Sequence, residues 1–102
     1  MKVSPKDLIR IHQGQIASRS LSKKLAIAPA MTLYAMSKEE SISREVSDQT
    51  KLIQVIEGQL SVTYDDGHQD SLTAGELVSL ASGQGHALTA TEDTIFWQLL
   101  LD

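Results

Sequence analysis

The sequence predicts an all-β fold, a barrel or sandwich of short strands carrying a short N-terminal helical turn, and three observations lead there. Turn-forming residues recur at Glu57-Gly58, Asp66-Gly67, Gly75, Gly83 to Gly85 and Glu92-Asp93, roughly every eight or nine residues, the spacing of a meander or barrel. The stretches between them alternate apolar and polar side chains, the period of a strand with one buried face. The C-terminal stretch 94–101 (TIFWQLLL) is rich in β-branched and apolar residues and reads as a closing strand.

Taken along the chain, Ser4-Pro5-Lys6-Asp7 is a helix start, with a capping residue, proline at the first helical position and a carboxylate in the first turn. Residues 15–22 and 30–36 alternate more loosely, and Pro29 argues against one long helix through them, so two strands are expected there. Strands follow at 51–56, 60–64, 69–72 and 77–80, and His86 opens a late strand. Asp66-Gly67 predicts a two-residue type I′ hairpin between 60–64 and 69–72, because both central residues of that turn need positive φ and this pair tolerates it. No repeat or low-complexity linker interrupts the chain, so residues 1–102 are read as one domain, with strands at about 15–29 leading into a barrel at about 30–100.

Composition bounds the function. A chain of 102 residues that is 41% hydrophobic and 22% charged has the makings of one globular core. Thirteen acidic against nine basic residues leave a net charge of −4, and only Lys23 and Lys24 stand together among the basic ones, so no stripe exists to follow a nucleic-acid backbone. The chain has no cysteine, hence no disulfide, thiolate metal site or cysteine nucleophile. The N-terminus lacks the apolar run of a signal peptide, and the longest apolar-rich stretch, 25–36, is short and broken by Pro29. No membrane segment is expected, and a cytoplasmic location is the expectation. No nucleophile elbow and no phosphate-binding loop is present.

The segment Gly75-x5-Ala81-x-Gly83-x2-His86-x3-Ala90 resembles the second cupin motif, G-x5-P-x-G-x2-H-x3-N, with alanine at the proline and asparagine positions. "KLIQVIEGQLSV" is similar to the end of the first motif, G-x5-H-x-H-x3,4-E-x6-G, with Gly58 as its last glycine. Counting back, the glutamate position is Lys51, and the two histidine positions fall at Arg44 and Val46 or at Glu45 and Ser47, depending on loop length. The resemblance spans roughly residues 30–100 and implies a double-stranded β-helix, the cupin jelly-roll barrel, with His86 at the start of its late strand facing inward.

In that family three histidines and the glutamate hold a divalent metal inside the barrel, and here only His86 maps onto a ligand. Glu45 offers a carboxylate near one lost histidine, but a lysine at the glutamate position repels a cation and has no lone pair while protonated. No cofactor and no tight metal site is therefore expected, with weak binding of a divalent ion at His86 left open. Lys51 is expected either to snorkel to water at the rim or, with Glu45 as nearest partner, to form with His86 a polar floor for an anionic or carbonyl-bearing small molecule. His86 is expected to be half-buried, so that His86→Ala costs about 1 kcal/mol. Trp97, the only tryptophan, joins the candidate pocket residues His86, Lys51 and Glu45, although a lone strand aromatic is more often core or interface. His12 and His68 are read as solvated, and Met31 and Met36 as packing. The expected function is non-catalytic small-molecule binding or a structural barrel. The alternative is a divergent enzyme using His86 and Glu45, by acid-base or metal-assisted chemistry on a small carbonyl, carboxylate or sugar substrate. Small cupins commonly pair, and the strands at 15–22 and 30–36 are expected to offer edges for a homodimer.

Overall fold

The computed structural model describes residues 1–101. Nine strands among them form two antiparallel sheets: β1 (Ile16–Ser20), β2 (Met31–Met36), β3 (Ser41–Glu45), β4 (Thr50–Glu57), β5 (Gln59–Tyr64), β6 (Gln69–Thr73), β7 (Leu77–Leu80), β8 (His86–Ala90) and β9 (Thr94–Leu101). One sheet has the order β1-β2-β9-β4-β7 and the other β3-β8-β5-β6. A 3₁₀ turn at Pro5–Asp7 and one α-helical turn, α1 (Ser22–Leu25), complete the secondary structure.

Every strand read after residue 50 is present. Upstream, the structure differs in three respects. The first strand stops at Ser20, because Ser22 to Leu25 turn into α1, whose end at Ala26 is left-handed with φ of 56°. The Ser22 hydroxyl donates to the Pro29 carbonyl and accepts from the Met31 amide, both at 2.7 Å, which ties this excursion to the start of β2. β3 was not foreseen at all, since "SISRE" has one apolar residue and no alternation worth the name. Third, β2 offers no edge to a partner: it lies between β1 and β9.

The connection after β5 is also not the expected type I′ turn. The Gly67 amide donates to the Tyr64 carbonyl and the Tyr64 amide to the His68 carbonyl, each at 2.9 Å, and of Asp65, Asp66 and Gly67 only the glycine has positive φ, 88°. A three-residue loop, Asp65 to Gly67, a type I turn followed by a left-handed glycine, joins Tyr64 to His68, just beyond the pair Thr63 and Gln69. Gly58 does something different: it carries the chain from one sheet to the other between β4 and β5. At φ of 90°, any Cβ there would run into the Asp93 carbonyl and Thr94, so only glycine fits.

Two apolar clusters result. Between the sheets lie Met36, Ile53, Val55, Leu60, Val62, Leu72, Leu80, Leu88, Ala90 and Phe96, all 3% exposed or less. Behind the first sheet, Ile9 and Leu21 from the N-terminal segment pack on Leu33, Ala35 and Ile95, with Trp97 and Met31 at the margin. The alternation of β2 and β9 sends Met36 and Phe96 to the first cluster, and Leu33, Ala35, Ile95 and Trp97 to the second. No helix among the described residues is long and apolar enough to cross a membrane.

Candidate functional site

Three polar side chains meet at one end of the space between the sheets. Lys51 and His86 obey the alternation of their strands. Lys51 shares its face of β4 with Ile53 and Val55, and His86 shares its face of β8 with Leu88 and Ala90, so both point inward. Glu45 does not obey a simple alternation. Ile42 pairs with Leu88 and Glu45 with His86, three residues on β3 against two on β8, so an extra residue is accommodated between them. The bulge turns Glu45 toward the same interior as Ile42, where a regular strand would have sent Arg44.

The geometry centres on one oxygen. Lys51 Nζ donates to Glu45 Oε1 at 2.8 Å, and His86 Nε2 stands 3.4 Å from that same atom. His86 Nδ1 is 3.2 Å from the Gln84 carbonyl, which can only accept, so this nitrogen carries the hydrogen of the contact. Nε2, fully buried, has no hydrogen-bond partner. Side-chain exposure is 6% for Lys51, 1% for His86 and 40% for Glu45, so the cluster meets solvent through its carboxylate. Tyr34 approaches from β2, its ring stacked on Phe96 with centroids 5.0 Å apart. Burial first, and then the negative charge of Glu45, push its hydroxyl up from the ordinary tyrosine range.

Of the two alternatives for Lys51, the rim position is the one the structure excludes: the side chain is buried, and its ammonium is compensated by Glu45. His86 is buried rather than half-buried, so its truncation opens a void as well as removing a hydrogen bond. Trp97 is not brought to the cluster: it lies on the opposite face of its sheet, packed against the N-terminal segment. His68 is largely exposed beside Asp70, as read from its place near the turn.

Sequence reading missed the groups around the cluster. Arg44 grips Asp65 through two bonds, Nε to Oδ1 at 2.7 Å and Nη2 to Oδ2 at 2.8 Å, bridging β3 and the β5–β6 loop across Gly85 at the head of β8. A Cβ at Gly85 would collide with both side chains, so the glycine before His86 makes room for this strap. The Arg44 hydrogen bond holds the Asp65 carboxyl below the usual carboxylate range. Tyr64, opposite His86 on β5, donates to Asp70 at 2.6 Å, and burial with that bond pushes its hydroxyl up to about 12. A surface cleft of about 270 Å³ lined by Tyr64, Asp65, Asp66, Gly83, Gln84 and Gly85 opens beside the strap.

The fold has close counterparts among solved structures. A conserved protein of unknown function from Streptococcus pyogenes superimposes with a TM-score of 0.88 over 100% of this chain and 87% of its own, at 20% identity. A cupin superfamily protein from Desulfitobacterium hafniense gives 0.84 over 99% and 92% of the two chains, also at 20% identity. The chain has the cupin fold. An RmlC-like cupin protein from Desulfovibrio desulfuricans, 11% identical, matches with a TM-score of 0.80 over 99% of this chain and 96% of its own. No protein-family model and no curated protein matches the sequence.

A cupin barrel raises the question of a metal, and the donor set answers it. Among the described residues no group of three or more histidine, cysteine, aspartate or glutamate side chains converges. His86 and Glu45 supply one nitrogen and one carboxylate, and the position beside them is taken by an ammonium bonded to that carboxylate. A divalent ion needs three or four protein ligands and no adjacent fixed cation, so these residues do not fit one.

Proposed function

We propose that this small cupin is a non-catalytic binding barrel, cytoplasmic and homodimeric, whose Lys51 and His86 receive a carboxylate or carbonyl oxygen of a small molecule. The observation that carries the reading is that both side chains are directed at one oxygen, Glu45 Oε1, while His86 Nε2 is left without a hydrogen bond. Glu45 is the exposed member of the three, and its carboxylate occupies the place that an incoming acid would take. An anionic ligand therefore enters by displacing Glu45 toward solvent. Lys51 supplies the charge, and His86 in its protonated form supplies a second donor. Nothing in this exchange needs a bond to break.

The test is a panel of small mono- and dicarboxylates, keto acids and sugar acids, read by thermal shift and calorimetry on the wild type and three variants. Glu45→Ala removes the internal competitor and is expected to tighten binding of those acids that shift the wild type. Lys51→Met and His86→Ala are expected to weaken it about tenfold or more, since each deletes a charge-assisted contact. Equal affinities in Glu45→Ala and the wild type would remove the basis of the proposal. Light scattering is expected to show a dimer at tens of micromolar, roughly above a typical micromolar dissociation constant. The open edges of β1 and β7 favour this state, each carrying an exposed apolar residue, Ile16 at 38% and Leu77 at 55%.

A further inference from the structure

We propose that Lys51 is the built-in cation of this cluster, and that its ammonium is what keeps divalent metal out of a site whose other two ligands are already in position. The inference goes beyond small-molecule binding and stands on the geometry of three side chains. Glu45 Oε1 and His86 Nε2 are 3.4 Å apart. Two ligands each 2.0–2.2 Å from a tetrahedral ion lie roughly 3.3–3.6 Å from one another, so the pair has the spacing of ligands sharing a metal.

The second observation is the state of His86. Its Nδ1 is held by the Gln84 carbonyl at 3.2 Å, so the neutral ring presents a lone pair at Nε2. A metal-bound imidazole is held in the same way through its outer nitrogen. That lone pair is buried, faces a carboxylate oxygen and has no hydrogen-bond partner. Only the third ligand is missing, and there the chain places a positive charge, Lys51 Nζ, 2.8 Å from the same oxygen. The ammonium repels a second cation and occupies the carboxylate lone pair that would bind it. Exchange of this one side chain for a ligand therefore converts an internal ion pair into a metal site.

The decisive experiment uses zinc alone on the full chain. Wild type, Lys51→Glu and Lys51→His, each also combined with His86→Ala, are dialysed against a mild chelator, equilibrated with zinc and measured for metal content and melting temperature. The wild type is expected to retain no zinc that depends on His86. Each lysine variant is expected to take up about one ion per chain, to melt higher with zinc than without it, and to lose both effects with His86→Ala. Zinc in the wild type that disappears in His86→Ala would overturn the proposal, and that measurement stands even if neither lysine variant folds. Folded Lys51→Glu and Lys51→His proteins that bind no more zinc than the wild type would overturn it equally. Failure of the carboxylate panel leaves this outcome untouched, because no organic ligand enters the measurement.

Discussion

The two sheets of this barrel are built from different kinds of sequence because they have different surroundings. In the sheet β3-β8-β5-β6, β8 alternates buried and half-buried residues from end to end, with its second face turned to solvent. In the sheet β1-β2-β9-β4-β7, the start of β9 is buried on consecutive residues, Thr94, Ile95 and Phe96. The N-terminal segment and α1 cover its back. A run of apolar residues on a strand thus marks a sheet packed on both faces, and alternation marks one packed on a single face. The residues before β2 are consequently half of a second core.

The largest effects should separate those two cores. Phe96→Ala empties the space between the sheets and is expected to cost about 3–5 kcal/mol. Leu21→Ala empties the cover and is expected to cost about 2–4 kcal/mol, somewhat less because the N-terminal segment can settle into the gap. Trp97, the only tryptophan, belongs to the cover and tells them apart. Its fluorescence in the folded state should move to the red in Leu21→Ala and stay unchanged in Phe96→Ala. A red shift in both would mean that the two faces are not independently packed.

The sheet with one solvated face was the more legible in the sequence. The strands of β5, β6 and β8 follow from alternation and turn residues, and the inward aim of His86 follows from its place in the second-motif spacing, in agreement with its burial beside Leu88 and Ala90. Lys51 was legible as a position, since it lies two residues before Ile53 on a regular strand. Its burial was left as one of two alternatives, because it depends on Glu45, and Glu45 reaches the interior only through the bulge in β3. A bulge adds one residue to a pairing and leaves no mark in the composition of so short a strand. Trp97 was misleading for the opposite reason: the sequence puts it on a strand, but which face is occupied depends on a segment some seventy residues away. The Arg44–Asp65 strap also has no sequence signature beyond Gly85, whose role shows only when both partners are placed over it.

An intermediate effect sharpens the contrast within the second sheet, between its interior and its rim. His86 is 1% exposed and His68 is 65% exposed at the side chain. His86→Ala leaves a cavity at the buried start of β8 and is expected to cost about 2 kcal/mol in denaturant unfolding. His68→Ala, which loses a screened contact to Asp70 and a ring stack on Tyr64, should stay within about 0.5 kcal/mol. Equal losses would show that His86 is less tightly enclosed than its surroundings indicate.

The smallest expected effect compares the sheets through their tyrosines, one on each. Tyr34 on β2 is pushed up by burial and by the charge of Glu45, whereas Tyr64 on β5 is pushed up to about 12 by burial and by its bond to Asp70. These are the only two tyrosines, so the absorbance of tyrosinate reads them without interference. At about pH 10, where free tyrosine is half ionised, the folded protein should show well under half of the full signal. Glu45→Gln should bring one titration down and leave the other, and Asp70→Asn should do the reverse. The consequence for stability follows from the sign of the shift. A raised folded value means that above about pH 10 the unfolded chain releases protons that the folded chain keeps, so this contribution is whole below pH 10 and is lost as pH rises toward about 12. Between about pH 9 and about pH 11, Tyr64→Phe should therefore lose less stability than the wild type, and an equal loss in both would show that neither burial nor the bond to Asp70 holds the Tyr64 proton in solution.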